Sequence, residues 1–167
     1  MQHQSLMEEN SVSLNPVSPR GMYFEEFEVG QQITTQGRTV TEADIVAFAG
    51  LSGDFTAIHT DAEYAARSPF GQRVAHGLLG LSIASGLAAQ TGILEGTVIA
   101  FREINEWKFA NPIMIGDTIH LEMEVVETKG LRRVGGGLVV IELRVQNQKG
   151  DTVMKGKWSV LMAFRPS

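Results

Sequence analysis

An aspartate and a histidine lie five positions apart in the segment GDFTAIHTD, which runs from Gly53 to Asp61. Histidine titrates near neutral pH, and a nearby carboxylate can orient its ring or work beside it. Asp54 and His59 could therefore hold one water molecule between them as a general acid–base pair. The alternative is structural, because short polar residues are common in loops. In that case Asp54 is a turn residue and His59 merely precedes a short helix.

A second candidate site begins at His76 and Gly77, where an uncharged segment extends to Gln90. We expect a helix there, and the first turn of a helix presents N–H groups without intrahelical partners and the positive end of the helix dipole. Because glycine has no side chain, a substrate oxygen can approach the Gly77 amide closely, as an oxyanion site requires. The alternative is an ordinary helix start at which the histidine contacts water.

Other chemistries have less support. The chain has no cysteine, which excludes disulfides, thiolate catalysis and cysteine-based metal sites. His59 and His76 are seventeen positions apart without an obvious third ligand, so we predict no metal site. Neither a G-x-G-x-x-G segment nor a Walker-type loop is present, and we predict no cofactor. Ser85, inside the predicted helix, is expected to donate to a carbonyl one turn earlier.

Composition narrows the class of protein. Hydrophobic residues make up 43% of the 167 residues and charged residues 20%, as in an ordinary globular protein. A formal net charge of -5 argues against nucleic-acid binding. No run of about 18 apolar residues is present, so no membrane span is expected. Residues 1–22 predict a flexible tail and lack the features of a secretory signal, and we expect a cytoplasmic protein.

The predicted helices place the candidate residues. Thr41 followed by Asp44 is typical of a capped helix start, and Gly53 ends that helix just before Asp54. The segment from Gly77 to Gln90 is apolar on all sides, which indicates a buried helix.

The rest of the chain alternates with a period of two, which indicates half-buried antiparallel strands. Three segments show it: TIHLEMEVVE, VVIELRVQ and MKGKWSVLMAF, and the segment VIAFREINEWKF is a fourth predicted strand. Residues Asn147 to Asp151 predict a hairpin turn between the last two, and Gln31 to Thr39 predict a short strand or hairpin. A sheet wrapped around one long central helix buries both, which is the α+β arrangement called a hotdog fold. We expect one such domain over residues 23–167.

Two segments, FAGLSGDFTAIHTDAEYA and VAHGLLGLSIAS, resemble the MaoC-like (R)-specific enoyl-CoA hydratases, which are hotdog enzymes acting on acyl thioesters. The family segment reads aromatic, small residues, G-D-x-N-P-aliphatic-His, then a small residue six positions on. The matching positions here are Phe48, Ser52, Gly53, Asp54, Ile58, His59 and Ala65, with the H-G-aliphatic-aliphatic run at His76 to Leu79.

The resemblance implies roles for these residues. Asp54 and His59 would form the catalytic dyad that holds the water, and the Gly77 amide would bind the thioester oxygen. Ser82 matches a family serine near the dyad. The residues expected to contact substrate are Phe55, Thr56, Ile58 and His76. The implied reaction is the reversible syn hydration of a trans-2-enoyl-CoA to an (R)-3-hydroxyacyl-CoA, with His59 as the base and Asp54 as the proton donor.

One departure keeps other functions open. Thr56-Ala57 stands where the family usually has Asn-Pro, which affects substrate preference. A hotdog acyl-CoA thioesterase is one alternative, although such enzymes commonly use a carboxylate on or near the central helix and residues 77–94 contain none. A non-catalytic acyl-CoA-binding or regulatory subunit is another. The thioester carrier is CoA or acyl-carrier protein. We expect a homodimer or a dimer of dimers, because a wrapped sheet leaves an exposed edge strand.

Overall fold

The structure is a computed structural model and describes residues 21–166. Its strands are β1 (Gln32–Thr34), β2 (Arg38–Thr39), β3 (Val98–Phe109), β4 (Thr118–Leu131), β5 (Gly136–Gln146) and β6 (Thr152–Ala163). Its helices are α1 (Glu42–Ser52), α2 (Ala57–Thr60), α3 (Ala62–Ala66) and α4 (Gly77–Gln90), with short 3₁₀ turns at Phe24–Glu26 and Arg132–Val134.

The strands form one antiparallel sheet in the order β1-β4-β5-β6-β3, and β2 also pairs with β4. The four long strands are those predicted from the sequence. The segment from Gln31 to Thr39 is not a hairpin, however. Its two short strands pair separately with β4, Ile33 opposite Met123 and Thr39 opposite Thr118. The edge of β4 that does not pair with β5 offers each short strand more hydrogen bonds than the other short strand would.

The predicted turn between β5 and β6 is present. The Asn147 side-chain oxygen accepts the backbone N–H groups of Lys149 and Asp151 at 2.9 and 3.0 Å. Gly150 has φ +83°, a left-handed conformation that glycine adopts without strain. This turn fixes the register of the β5–β6 pair, which supplies much of the floor beneath α4.

Helix α4 lies against the concave side of the sheet, which confirms the hotdog fold. Leu79, Ile83 and Leu87 recur at a spacing of four and are buried in the same core cluster as Met154 of β6. The single chain covers only this side of the helix. Leu78 is 60% exposed on the opposite side, and Ser82, Ser85 and Ala89 are also exposed there. Because one sheet covers only one side of a helix, part of the uncharged surface of α4 stays exposed in the single chain.

Helix α1 ends where the sequence predicts. The Thr41 hydroxyl accepts the Asp44 N–H, and the Asp44 carboxylate accepts the Thr41 N–H at 2.8 Å, a complete capping box. Gly53 closes the other end at φ +76°, where its N–H bonds the Ala49 carbonyl. Asp54 therefore starts the loop that follows the helix.

The described chain is attached to the domain from its first residues. The N–H groups of Gly21 and Met22 donate to the carbonyls of Glu95 and Ile93 at 2.6 and 2.9 Å. The rest of the predicted tail, residues 1–20, lies outside the described residues. None of the helices between residues 21 and 166 is long and apolar enough to cross a membrane.

Candidate active site

Asp54 lies in an exposed loop that its own neighbour shapes. Its Oδ1 accepts the Thr56 hydroxyl at 2.5 Å and the Thr56 backbone N–H at 3.1 Å. These two hydrogen bonds, the hydroxyl bond first, hold the pKa of the Asp54 carboxyl below its usual value. Asp54 is therefore an ionised carboxylate at neutral pH.

His59 lies on the short helix α2, and a hydrogen bond to the backbone fixes its ring. Its Nδ1 is 2.8 Å from the carbonyl oxygen of Val74. Because a carbonyl oxygen only accepts, Nδ1 carries the hydrogen, and a neutral His59 has a bare lone pair on Nε2. No group among residues 21–166 bonds this Nε2. The Nε2 nitrogen, which can accept a proton, is thus left without a hydrogen bond in the described part of the chain.

His76 caps the N-terminus of α4 and is buried. Its Nε2 is 2.9 Å from the backbone carbonyl oxygen of Asp54, to which it must donate. Its ring lies against the ring of His59, with centroids 3.8 Å apart, and the Phe48 ring lies at a centroid distance of 5.1 Å, tilted by 53°. Its Nδ1 is buried and has no hydrogen-bond partner in the described part of the chain.

The fold thus brings the two predicted dyad members together with His76. Potential ligand atoms of Asp54, His59 and His76 all lie within 4.8 Å of one another. The spacing of His59 and His76 in the sequence did not indicate that Asp54 would lie beside both of them as a third potential ligand. The planes of the stacked rings differ by only 30°, so their lone pairs do not converge on one point as the ligands of a single ion must. The cluster is arranged better for proton transfer than for metal binding.

An apolar cavity of about 410 Å³ lies beside the dyad. His59 and Gly77 both line it, and most of the remaining wall is apolar: Ile58, Phe70, Val74, Phe109, Ile113 and Met154. The volume is in the range of small-molecule sites. His59 and the residue that carries the predicted oxyanion amide, Gly77, therefore line the same cavity.

Gly77 begins α4, and its N–H has no partner among residues 21–166, as expected in the first turn of a helix. A Cβ atom at this position would lie 2.9 Å from the Cδ1 and Cε1 atoms of Phe109, closer than real Cβ contacts. A side chain at this position would thus require the Phe109 ring to move.

Several predicted site residues lie elsewhere. Ser82 donates to the Leu78 carbonyl at 2.8 Å and lines a separate cavity of about 280 Å³, so the single chain does not place it beside His59. Of the residues expected to contact substrate, only Ile58 lines the larger cavity. Thr56 bonds Asp54, His76 is buried behind His59, and Phe55 is 64% exposed.

Sequence reasoning missed two aromatic residues of the cavity wall. Phe70 lies in a segment that shows no periodicity, and Phe109 ends β3 just before the Asn111–Pro112 break. An aromatic residue at the end of a strand, next to a proline, is a weak signal. The contact between Phe109 and Gly77 joins residues distant in sequence, and only the fold brings them together.

Comparison with known proteins places the chain in a family. A profile of the MaoC like domain matches residues 25–147. Protein MaoC of Klebsiella aerogenes is 42% identical over 112 residues, which are 67% of this chain and 33% of that protein. The chain thus spans about a third of the length of that relative.

Shorter relatives match over more of their length. A 3-hydroxybutyryl-CoA dehydratase of Methylorubrum extorquens is 35% identical over 114 residues, 68% of this chain and 70% of that protein. An (R)-specific enoyl-CoA hydratase of Aeromonas caviae is 29% identical over 136 residues, 81% of this chain and 96% of that protein.

A solved structure supports the same assignment. The X-ray structure of a protein from Archaeoglobus, described as a monoamine oxidase regulatory protein, superposes with a TM-score of 0.81 and 41% identity. The superposition covers 88% of this chain and 97% of that one. With the domain profile covering most of the chain, the conclusion is that this protein belongs to the MaoC-like dehydratase family.

Proposed function

We propose that the chain catalyses the reversible hydration of a trans-2-enoyl thioester, with CoA as the expected carrier, to the (R)-3-hydroxyacyl thioester. The observation that carries the proposal is the bare Nε2 of His59, fixed by the Nδ1 hydrogen bond to Val74. His59 lies close to Asp54, and it lines a cavity that Gly77 also lines. A hydration needs a base, a held water and an oxyanion donor, and these residues supply all three.

The proton can be followed through the reaction. The thioester carbonyl withdraws electrons, so the oxygen of water bonds to C3 while His59 Nε2 takes a proton from that water. The electron pair of the C2–C3 double bond moves toward the thioester oxygen, where the Gly77 N–H stabilises the developing negative charge. The imidazolium then gives the proton to C2. One water has been added, and the enzyme returns to its starting state.

Asp54 has a different role from the one expected from the resemblance. Because its pKa is lowered, chiefly by the Thr56 hydroxyl, it is a poor proton donor near neutral pH. We assign it to hold the second hydrogen of the water and to offset the positive charge on His59 after proton transfer. A single proton shuttled by His59 then replaces the separate donor.

We further propose that the active protein is a homodimer. Strand β3 is at the end of the sheet order and has no second partner strand among residues 21–166, with Val98, Phe101 and Ile104 between 41% and 48% exposed. Ser82 and Ser85 on the exposed side of α4 line one pocket with Phe101 and Ile104. A second copy would cover both the edge strand and this side of the helix.

Crotonyl-CoA distinguishes the candidate functions in one experiment. Hydration removes the absorbance of the conjugated enoyl thioester without releasing thiol. A thioesterase would release free CoA, detectable with a thiol reagent, and a binding or regulatory subunit would do neither. The proposal predicts loss of enoyl absorbance with no thiol release. Thiol release, or binding without turnover across enoyl-CoA substrates of varied length, would contradict it.

A further inference from the structure

His76 contacts each of the three groups that the proposed function uses, and by a different contact each time. Its Nε2–H donates to the Asp54 backbone carbonyl at 2.9 Å. Its ring stacks on the His59 ring with centroids 3.8 Å apart. Its carbonyl carbon forms the peptide bond that carries the Gly77 N–H. No other residue between 21 and 166 shows this combination of contacts.

The histidine cannot act by contacting substrate in this structure. It is only 2% exposed and does not line the cavity beside His59. His59 stacks on its ring, and the Phe48 ring also packs nearby, with centroids 5.1 Å apart. Its remaining nitrogen, Nδ1, is enclosed without a partner in the described residues. The role expected from the sequence, substrate binding, therefore does not suit its position.

The Asp54 loop depends on this histidine for attachment. Residues 50–56 are all exposed in the single chain. The other hydrogen bonds of residues 53–56 join groups at most five positions apart. The bond from His76 spans 22 positions and ties the loop to the first turn of α4. Within the described residues it is the one hydrogen bond that joins residues 53–56 directly to the start of α4.

We propose that His76 is a positioning residue of the hydration reaction. The face of the His76 ring supports the His59 ring, and its Nε2–H holds the Asp54 loop. The base His59, the Asp54 carboxylate and the Gly77 amide therefore keep a fixed arrangement. The inference rests on the proposed function. It explains why an imidazole occupies a site where a ring face and an in-plane N–H donor are both needed. Phenylalanine supplies only the face, and glutamine supplies only the donor.

Three variants separate the two contacts. His76→Ala removes both, His76→Phe keeps the ring face, and His76→Gln keeps a donor near the position of Nε2. His120→Gln, on β4 and away from the site, is the control. His76→Phe also removes a buried nitrogen that bonds nothing among the described residues, so it should stay folded. Circular dichroism and thermal melting check this for each variant.

The expected result is a loss confined to turnover. For crotonyl-CoA hydration we expect His76→Ala to lower kcat by about 100-fold, the scale of a misplacement of roughly 1 Å, with KM nearly unchanged. His76→Phe and His76→Gln should each recover part of kcat, and His120→Gln should match the unmodified protein. A folded His76→Ala variant with normal kcat, or one that changes only KM, would overturn the proposal.

Two readouts do not depend on activity. Amide hydrogen exchange at residues 53–57 should accelerate in His76→Ala and His76→Phe but not in His76→Gln, because only glutamine keeps the donor. Nitrogen NMR of His59 should show the Nδ1–H tautomer in the unmodified protein and a mixture in His76→Ala. If the unmodified protein fails to hydrate any enoyl-CoA, the proposed function is wrong. Unchanged exchange and an unchanged tautomer would instead refute the role of His76.

Discussion

The rings of His59 and His76 lie face to face, with centroids 3.8 Å apart and planes 30° from parallel, although the residues are seventeen positions apart in the chain. One nitrogen of each ring donates a hydrogen bond to a backbone carbonyl. His59 donates to the carbonyl of Val74, and His76 donates to the carbonyl of Asp54. The two hydrogen bonds fix both tautomers. The one accessible lone pair that results belongs to His59, and the proposed mechanism uses it.

Loss of either dyad side chain should remove most turnover. Asp54→Asn and His59→Ala should each lower kcat by about 100- to 10,000-fold, the usual contribution of general acid–base catalysis. Both residues are at least partly exposed, so we expect folded variants with normal circular dichroism. Steady-state hydration of crotonyl-CoA measures the effect, with His120→Ala as the control. Near-normal rates in either purified variant would exclude the dyad.

The Thr56 hydroxyl should set the ionisation of Asp54. Thr56→Val removes the 2.5 Å hydrogen bond, so the pKa of Asp54 should rise toward its ordinary value of 3.8. Because the folded-state pKa is depressed, this bond stabilises the fold above pH 3.8 and stops doing so as the pH falls through the folded-state pKa. Carbon NMR of the labelled carboxylate during an acid titration measures the change.

Thr60→Val is the matched control for that titration. The Thr60 hydroxyl bonds the carbonyls of Phe55 and Thr56 and has no hydrogen bond with Asp54. Its removal should leave the pKa of Asp54 as it is. An unchanged titration in Thr56→Val would show that the loop, and not the hydroxyl, controls the carboxylate.

The departure from Asn-Pro can be tested directly. Thr56 has ψ 134°, the extended conformation that a residue before proline prefers, and Ala57 is the first residue of α2, where proline is well tolerated. Ala57→Pro should therefore stabilise the fold by about 0.4–1 kcal/mol. Combined with Thr56→Asn, it should raise activity on straight-chain enoyl-CoA substrates. Thermal melting and kcat/KM are the measurements. Unchanged or lower activity would mean that the loop suits a different acyl group.

Gly77 should tolerate no side chain. Its added Cβ would lie 2.9 Å from the Phe109 ring, which must then move within the cavity. We expect Gly77→Ala to lower kcat/KM by about 100-fold through misplacement of the thioester. Gly86→Ala in the same helix meets nothing within 4 Å and is the matched control. Equal activity of the two variants would argue that no oxygen approaches the Gly77 amide.

The long elements could be predicted because local periodicity determines them. The alternation in β4 to β6, the uncharged stretch of α4 and the capping box at Thr41 each depend on residues close in sequence. The proximity of Asp54 and His59 could be predicted as well, since their spacing of five and their neighbours form a recognisable segment.

The features that were not predicted from the sequence depend on contacts between residues distant in the chain. The stacking of His76 on His59 and the packing of Phe109 against Gly77 follow from the placement of α4 across the sheet. The separate pairing of β1 and β2 with β4 reflects competition for a strand edge. The exposed side of α4 could not be read from an apolar pattern, because the pattern does not say whether the same chain or another covers it.

The stereochemistry of hydration tests the central claim most directly. A water held between Asp54 and His59 reaches one face of the double bond, and His59 returns the proton to that same face. Addition should therefore be syn and should give the R alcohol at C3, which the family resemblance also implies. The measurement is hydration of crotonyl-CoA coupled to dehydrogenases specific for each enantiomer of the product. The account predicts a response from the R-specific dehydrogenase alone. A response from the S-specific enzyme alone, or from both equally, would contradict it.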